Sequence, residues 1–196
     1  MGKMATIEKL TDAMQSKTVV RFVSRYEEAR IEGYVLDVGP KFFLMAIVDE
    51  RISFNGFQCM RFSDVTRLEV PASNSDFIVA ALMKRGESIE SKPQIDLTSA
   101  ATILDSASRI VPLVTIHTQK SHPDRCWIGR TLGATGTHEA LLEIGPDAVW
   151  ETIPTMKAFK PITRIDFLGG YEEALYLVGG EPPKIKKTRR AAQRAR

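Results

Sequence analysis

The chain has 196 residues, with 27 Lys and Arg, 24 Asp and Glu, three His and two Cys. A hydrophobic fraction of 43% and a charged fraction of 26% fit a globular protein; they exclude wholesale disorder, a collagen-like repeat and a disulfide framework. No apolar run approaches the roughly 18 residues that cross a bilayer, and Lys3, Glu8 and Lys9 interrupt the first ten residues, so neither a membrane span nor a secretory signal is expected and the expected location is cytoplasmic.

Met4, Ile7, Leu10 and Met14 fall at three- and four-residue spacing and predict a leading helix. Thr18 to Val23 follows as a strand, with Val20 and Phe22 on one face. Ile31 to Val38 is a second strand, broken by Gly33, and glycine inside a strand marks a strong bend or bulge. Phe42 to Val48 is an apolar run suited to a strand buried on both sides. Ile52 to Met60 carries Asn55-Gly56 between β-rich flanks and predicts a tight hairpin. Asp64 to Val70 alternates and closes the set. Asp76 to Lys84 predicts a helix that Ser75 or Asn74 can cap and Gly86 can end; its all-round apolar character predicts burial between two bodies.

The same order then recurs at an offset of 96–98 residues. A helix capped by Thr98 or Ser99 leads, and strands are predicted at Val111 to Thr118, at the Gly129 region, at Ala140 to Ile144 and at Ala148 to Ile153. Gly129 matches Gly33, Leu141-Leu142 matches Phe43-Leu44, and Pro161 to Phe167 matches Asp64 to Val70. Tyr171 to Leu177 matches the helix that ends the first copy. Five short strands behind a helix, twice, predict a mainly β chain with short flanking helices. Closure of each set removes exposed edges, so two small barrels are expected. Residues 1–88 form the first with its leading and trailing helices, 97–180 the second, and 181–196 a disordered basic tail.

This order resembles the Sm-like fold, a helix followed by five strongly bent strands. The residues that carry the resemblance are Gly33 with Tyr34 to Asp37, Phe42-Phe43-Leu44 and Phe62 to Leu68, and in the second copy Gly129, Leu141-Leu142 and Ile162 to Ile165. The resemblance implies two tandem five-stranded Sm-like small barrels and an RNA ligand. The loop after Asp37 reads Val38-Gly39-Pro40-Lys41 where that family carries an Asn, and Gly133 stands where the second copy would carry the Asp.

No enzyme chemistry is expected. Gly129 to Gly136 is glycine-rich but lacks the Gly-Lys-Ser/Thr of a phosphate loop. His117, His122, Cys126 and His138 have no close-pair spacing for zinc. Cys59 reads as a core residue and Cys126 has no evident base; Glu27-Glu28 and Glu172-Glu173 read as solvated surface. No cofactor, metal or small-molecule substrate is inferred. Arg67 and Arg164 are expected to point outward and pair with Glu69 and Asp166.

The last 13 residues carry Lys184, Lys186, Lys187, Arg189, Arg190, Arg194 and Arg196 and no acid, which leaves 20 basic residues against 24 acidic for the rest. Pro182-Pro183 separates this tail from the body. Such a tail binds RNA or another polyanion by counterion release. Basic and aromatic residues interleave at Arg21, Phe22, Arg25, Tyr26 and Arg30, and again at Arg61-Phe62 and Arg67. Of these, Arg25, Tyr26 and Arg30 join the tail as expected nucleic-acid contacts. The expected function is a non-enzymatic binding or scaffold protein with RNA as ligand. The alternative is a protein–protein assembly module with no nucleic-acid ligand, whose exposed strands mediate a homo-oligomer.

Overall fold

The structure, a computed structural model, describes residues 2–89 and 91–184. Helix α1 (Lys3–Ser16) precedes β1 (Val19–Ser24), β2 (Arg30–Val38), β3 (Phe42–Val48), β4 (Phe54–Arg61) and β5 (Val65–Glu69). Helices α2 (Ser75–Arg85) and α3 (Ala100–Ser108) link this half to β6 (Val114–His117), β7 (Cys126–Thr135), β8 (His138–Glu143), β9 (Thr155–Ala158) and β10 (Arg164–Phe167), and α4 (Gly170–Gly179) follows. The chain is mainly β with short flanking helices.

The ten strands form one antiparallel sheet in the order β5-β1-β2-β3-β4-β10-β6-β7-β8-β9. Two barrels that each close upon themselves are therefore replaced by a single sheet. Strand β4 takes β10 as its second neighbour, with Met60 opposite Arg164 and Phe57 opposite Phe167. Packing explains the choice. The largest core cluster joins Phe42, Leu44 and Cys59 of the first half to Ile103 and Leu104 of α3 and to Ile116, Leu141, Ile165 and Phe167 of the second. Separating the halves would return that apolar surface to water at roughly 25 cal/mol per Å². A second cluster, around Leu10, Phe22, Phe43, Met60 and Phe62, lies under α1 in the first half.

Each half has one strand bent at the same relative place. Gly33 lies opposite Ile47 and Gly129 opposite Glu143, and in both ladders the register slips past the next leucine, Leu36 or Leu132. The sequence match of Phe43-Leu44 to Leu141-Leu142 is thereby corrected by two residues: Met45-Ala46 stands where Leu141-Leu142 does.

Three local expectations change. Asn55-Gly56 makes no hairpin; β4 runs through it and the turn lies at Asp49–Ser53, where Asp49 N–H donates to Ser53 O at 3.0 Å. Gly56, at φ +70°, sits instead at the irregularity between β3 and β4, with the backbone of Leu168 and Gly169 against it. Asn55 Oδ1 accepts the Gly170 N–H at 2.8 Å and so fixes the start of α4. Ala148 to Ile153 makes a turn and a lone bridge, and the strand comes later, as β9. Helix α2 buries only Ile78 and Leu82, against Val19, Val48 and Ala72, while Phe77 is 62% and Met83 74% exposed; it packs on the first half alone.

Arg21 is buried in β1 and ties three elements together. It donates to Glu32 of β2, to Glu69 of β5 at 3.3 Å, to Ser73 Oγ at 2.8 Å and to Asn74 Oδ1 before α2. Removing one partner of a buried charge pair strands the other, at a cost of about 3 kcal/mol. Arg21→Ala should lower the unfolding free energy by about that amount in urea titrations; a loss under about 1 kcal/mol would show the network to be no more than a surface pair.

Candidate functional site

The same ends of the two halves meet at the seam and enclose a cleft of about 650 Å³. Lys41 reaches it from the β2–β3 loop, Arg61 from the end of β4, and Lys160 from the segment after β9. Thr137 of the β7–β8 turn and Phe159 complete one wall. Backbone bonds shape both loops alike: Phe62 N–H donates to Lys41 O at 3.3 Å and Phe159 N–H to Thr137 O at 3.0 Å. Ala100 and Ala101, the first residues of α3, line the floor. Ser99 caps that helix by accepting from Thr102 N–H, and a helix N-terminus carries a partial positive charge.

No Asp or Glu is among the described residues lining this cleft, and three cations are. Arg61 stacks over the Phe42 ring with its guanidinium carbon 5.4 Å from the centroid and donates to Lys160 O at 2.9 Å. Its Nε is buried without a protein partner. Lys41 and Lys160 are exposed, and Phe159 is half-buried. The arrangement is a cation-lined slot beside an aromatic ring, suited to phosphate oxygens with a base alongside.

The expected contacts fall elsewhere. Arg25 and Arg30 are exposed and Tyr26 half-buried around the β1–β2 loop, and none of the three lines the cleft. Arg25 Nε lies 3.8 Å from Asp64 Oδ1. Arg21 is held in its ion pairs, and Phe22 and Phe62 are core. Lys184 is exposed at the end of the described chain, while Lys186, Lys187, Arg189, Arg190, Arg194 and Arg196 lie outside the described residues. Arg164 pairs with Asp166 as expected, at 3.1 Å, but its side chain is mostly buried rather than outward and also donates to Glu27. Glu27 also accepts from Gln119, so it is a structural acceptor rather than solvated surface. Among the described residues no group of His, Cys, Asp and Glu could hold a metal.

Lys41, Phe159 and Lys160 escaped the sequence reading. The signal available was a basic residue beside an aromatic one at a strand end, in Lys41-Phe42 and Phe159-Lys160 as in Arg61-Phe62. Only the fold brings these pairs within one cleft.

Next to this cleft, Asp64 is buried in the turn after β4, and its Oδ2 has no partner. Burial pushes its carboxyl up, against the opposing pull of Ser63, Arg61, Arg25 and Lys120. A raised folded-state value means that ionisation costs stability. The carboxyl's contribution is therefore fully present below its unfolded value and lost as pH rises through the folded one. Compared with Asp64→Asn, the natural protein should lose ground as pH rises from strongly acidic toward neutral. Urea unfolding at stepped pH checks this; a gap that is constant with pH contradicts it.

No family model matches the chain, no curated protein matches its sequence, and no solved structure matches its fold. Among the described residues no helix is long and apolar enough to cross a membrane.

Proposed function

We propose that this chain is a non-enzymatic binding and scaffold protein that holds single-stranded RNA in the seam cleft, with the basic C-terminal residues adding phosphate contacts. The observation that carries the reading is the convergence of Lys41, Arg61 and Lys160 on one slot with no acid among its described lining residues. The leading helix and five strands of each half, one of them bent at a glycine, support the Sm-like resemblance and a duplicated origin. The chain leaves α4 beside Ile144 and Ala148, at the far end of β8 from Thr137, so about 20 Å separates the start of the tail from the cleft. Residues 185–196 can span up to about 40 Å when extended, enough to reach a strand lying in the slot.

Fluorescence anisotropy of a labelled single-stranded RNA over a salt series tests the reading. Full-length protein should bind with a steep salt slope, and deleting residues 184–196 should flatten the slope without abolishing binding. No affinity at low salt removes the RNA reading.

A second reading, assembly, is favoured by the sheet edges. Strands β5 and β9 each pair on one side only among the described residues. They hold the places in their halves that β10 and β4 hold at the internal seam. Repeating the seam between chains would set Leu68 opposite Met156, which is 50% exposed. Such a head-to-tail contact builds rings or filaments. Light scattering should then show concentration-dependent oligomers that Met156→Arg dissolves; a strict monomer at high concentration counts against it.

A further inference from the structure

Across the β4–β10 seam, and sharing no lining residue with the cation-lined cleft, a cavity of about 250 Å³ is lined by Gln58, Thr115, His117, Cys126, Asp166 and Glu172, among others. Gln58 and Asp166 are direct cross-strand partners in the β4–β10 ladder. Gln58 Oε1 and Asp166 Oδ1 are both buried and neither has a hydrogen-bond partner. Buried acceptors without a donor are costly and scarce in folded proteins, and two side by side at a cavity call for a donor.

The carboxylates are otherwise engaged, although Arg164 Nε is itself buried without a hydrogen-bond partner. Asp166 Oδ2 lies 2.9 Å from His117 Nε2 and 3.1 Å from Arg164 Nε, and Glu172 accepts from Thr115 Oγ1. Asp166 and the nearby Glu27 both pair with Arg164. Burial, and after it the Asp166 charge, push up the thiols of Cys126 and Cys59 on either side. One guanidinium is thus shared between two carboxylates, and no donor in the site serves Asp166 Oδ1 or Gln58 Oε1.

We propose that this cavity binds a guanidinium group, whose planar fork of N–H donors serves Asp166 Oδ1 and Gln58 Oε1 at once. A guanidinium carries its charge in the plane of the fork, which matches adjacent oxygen acceptors better than an ammonium does. The group could belong to an arginine of another chain or to Arg189, Arg190, Arg194 or Arg196 of this one.

The test is NMR titration of the full-length chain with methylguanidinium, methylammonium and urea, following the Gln58 side-chain amide and the His117 ring. Methylguanidinium should shift both signals and bind about tenfold tighter than methylammonium, which has the charge without the fork. Urea, which has the fork without the charge, should bind weakest. Gln58→Leu should remove that advantage and leave RNA affinity at the seam cleft unchanged, which separates this site from the proposed function. Changing the four C-terminal arginines to Gln distinguishes the source: tighter methylguanidinium binding marks the chain's own tail as occupant, and unchanged binding marks an outside arginine. Equal response to all three probes, or none at Gln58, overturns the proposal and leaves the two acceptors to water.

Discussion

Gly33→Val and Gly129→Val should each unfold the protein or cost at least about 3 kcal/mol, the effect of forcing atoms into a closed backbone contact. A Cβ at Gly33 would stand 2.0 Å from Ala46 O, and one at Gly129 2.2 Å from Leu142 O. These are carbonyls of the neighbouring strand, so no side-chain rotation relieves the overlap and the β2–β3 or β7–β8 ladder must open. Gly170→Ala is the control. Its Cβ meets only Asn55 Oδ1, at 3.6 Å, and its place in α4 should make the change neutral to slightly stabilising. Urea unfolding of the three variants checks the order. Native-like stability in Gly33→Val would mean that the two strands do not approach as closely as described.

Reversing the exposed charges of the cleft should do the opposite, leaving the fold and removing the binding. Lys41→Glu with Lys160→Glu should weaken single-stranded RNA by about 100-fold and lower the salt slope by about 1.4, roughly 0.7 for each lost phosphate contact. Neither lysine makes a described hydrogen bond through its side chain, so stability should stay within about 0.5 kcal/mol. Arg61→Gln is a separate arm. It removes the charge and keeps a donor that can serve Lys160 O, and should cost about tenfold alone. If the double reversal leaves affinity and slope intact while deletion of the tail abolishes both, binding belongs to the tail and the cleft has no part in it.

Much of the β order was legible because period-two alternation and glycine placement are local signals. Gly33 and Gly129 could be paired from sequence, and both sit in strands tight against a neighbour's carbonyl. Apolar spacing marked α1, and Ser99 marked the start of α3. Closure was not legible, because the choice of β4 between β5 and β10 depends on packing of Leu44, Cys59 and Ile165 around α3. Asn55-Gly56 was misleading for a related reason: its positive φ angle serves a bulge against Gly169 rather than a turn. The apolar run of α2 did not reveal that Phe77 and Met83 would remain exposed. For the site, composition pointed to the tail and to Arg25, Tyr26 and Arg30. The cleft is assembled from two or three residues on each of five separate segments, and no window of sequence contains it.

The seam also sets a schedule for synthesis. Strand β4 ends at Arg61, and its partner β10 begins only at Arg164. At ribosomal speeds of about 5–20 residues per second, the newly made β4 waits roughly 5–20 s for that partner. During that interval its outer border, with Cys59, stays open to any other nascent strand. A chain halted before residue 164 should therefore be the aggregation-prone form, and holdase chaperones should engage it until the last strand arrives.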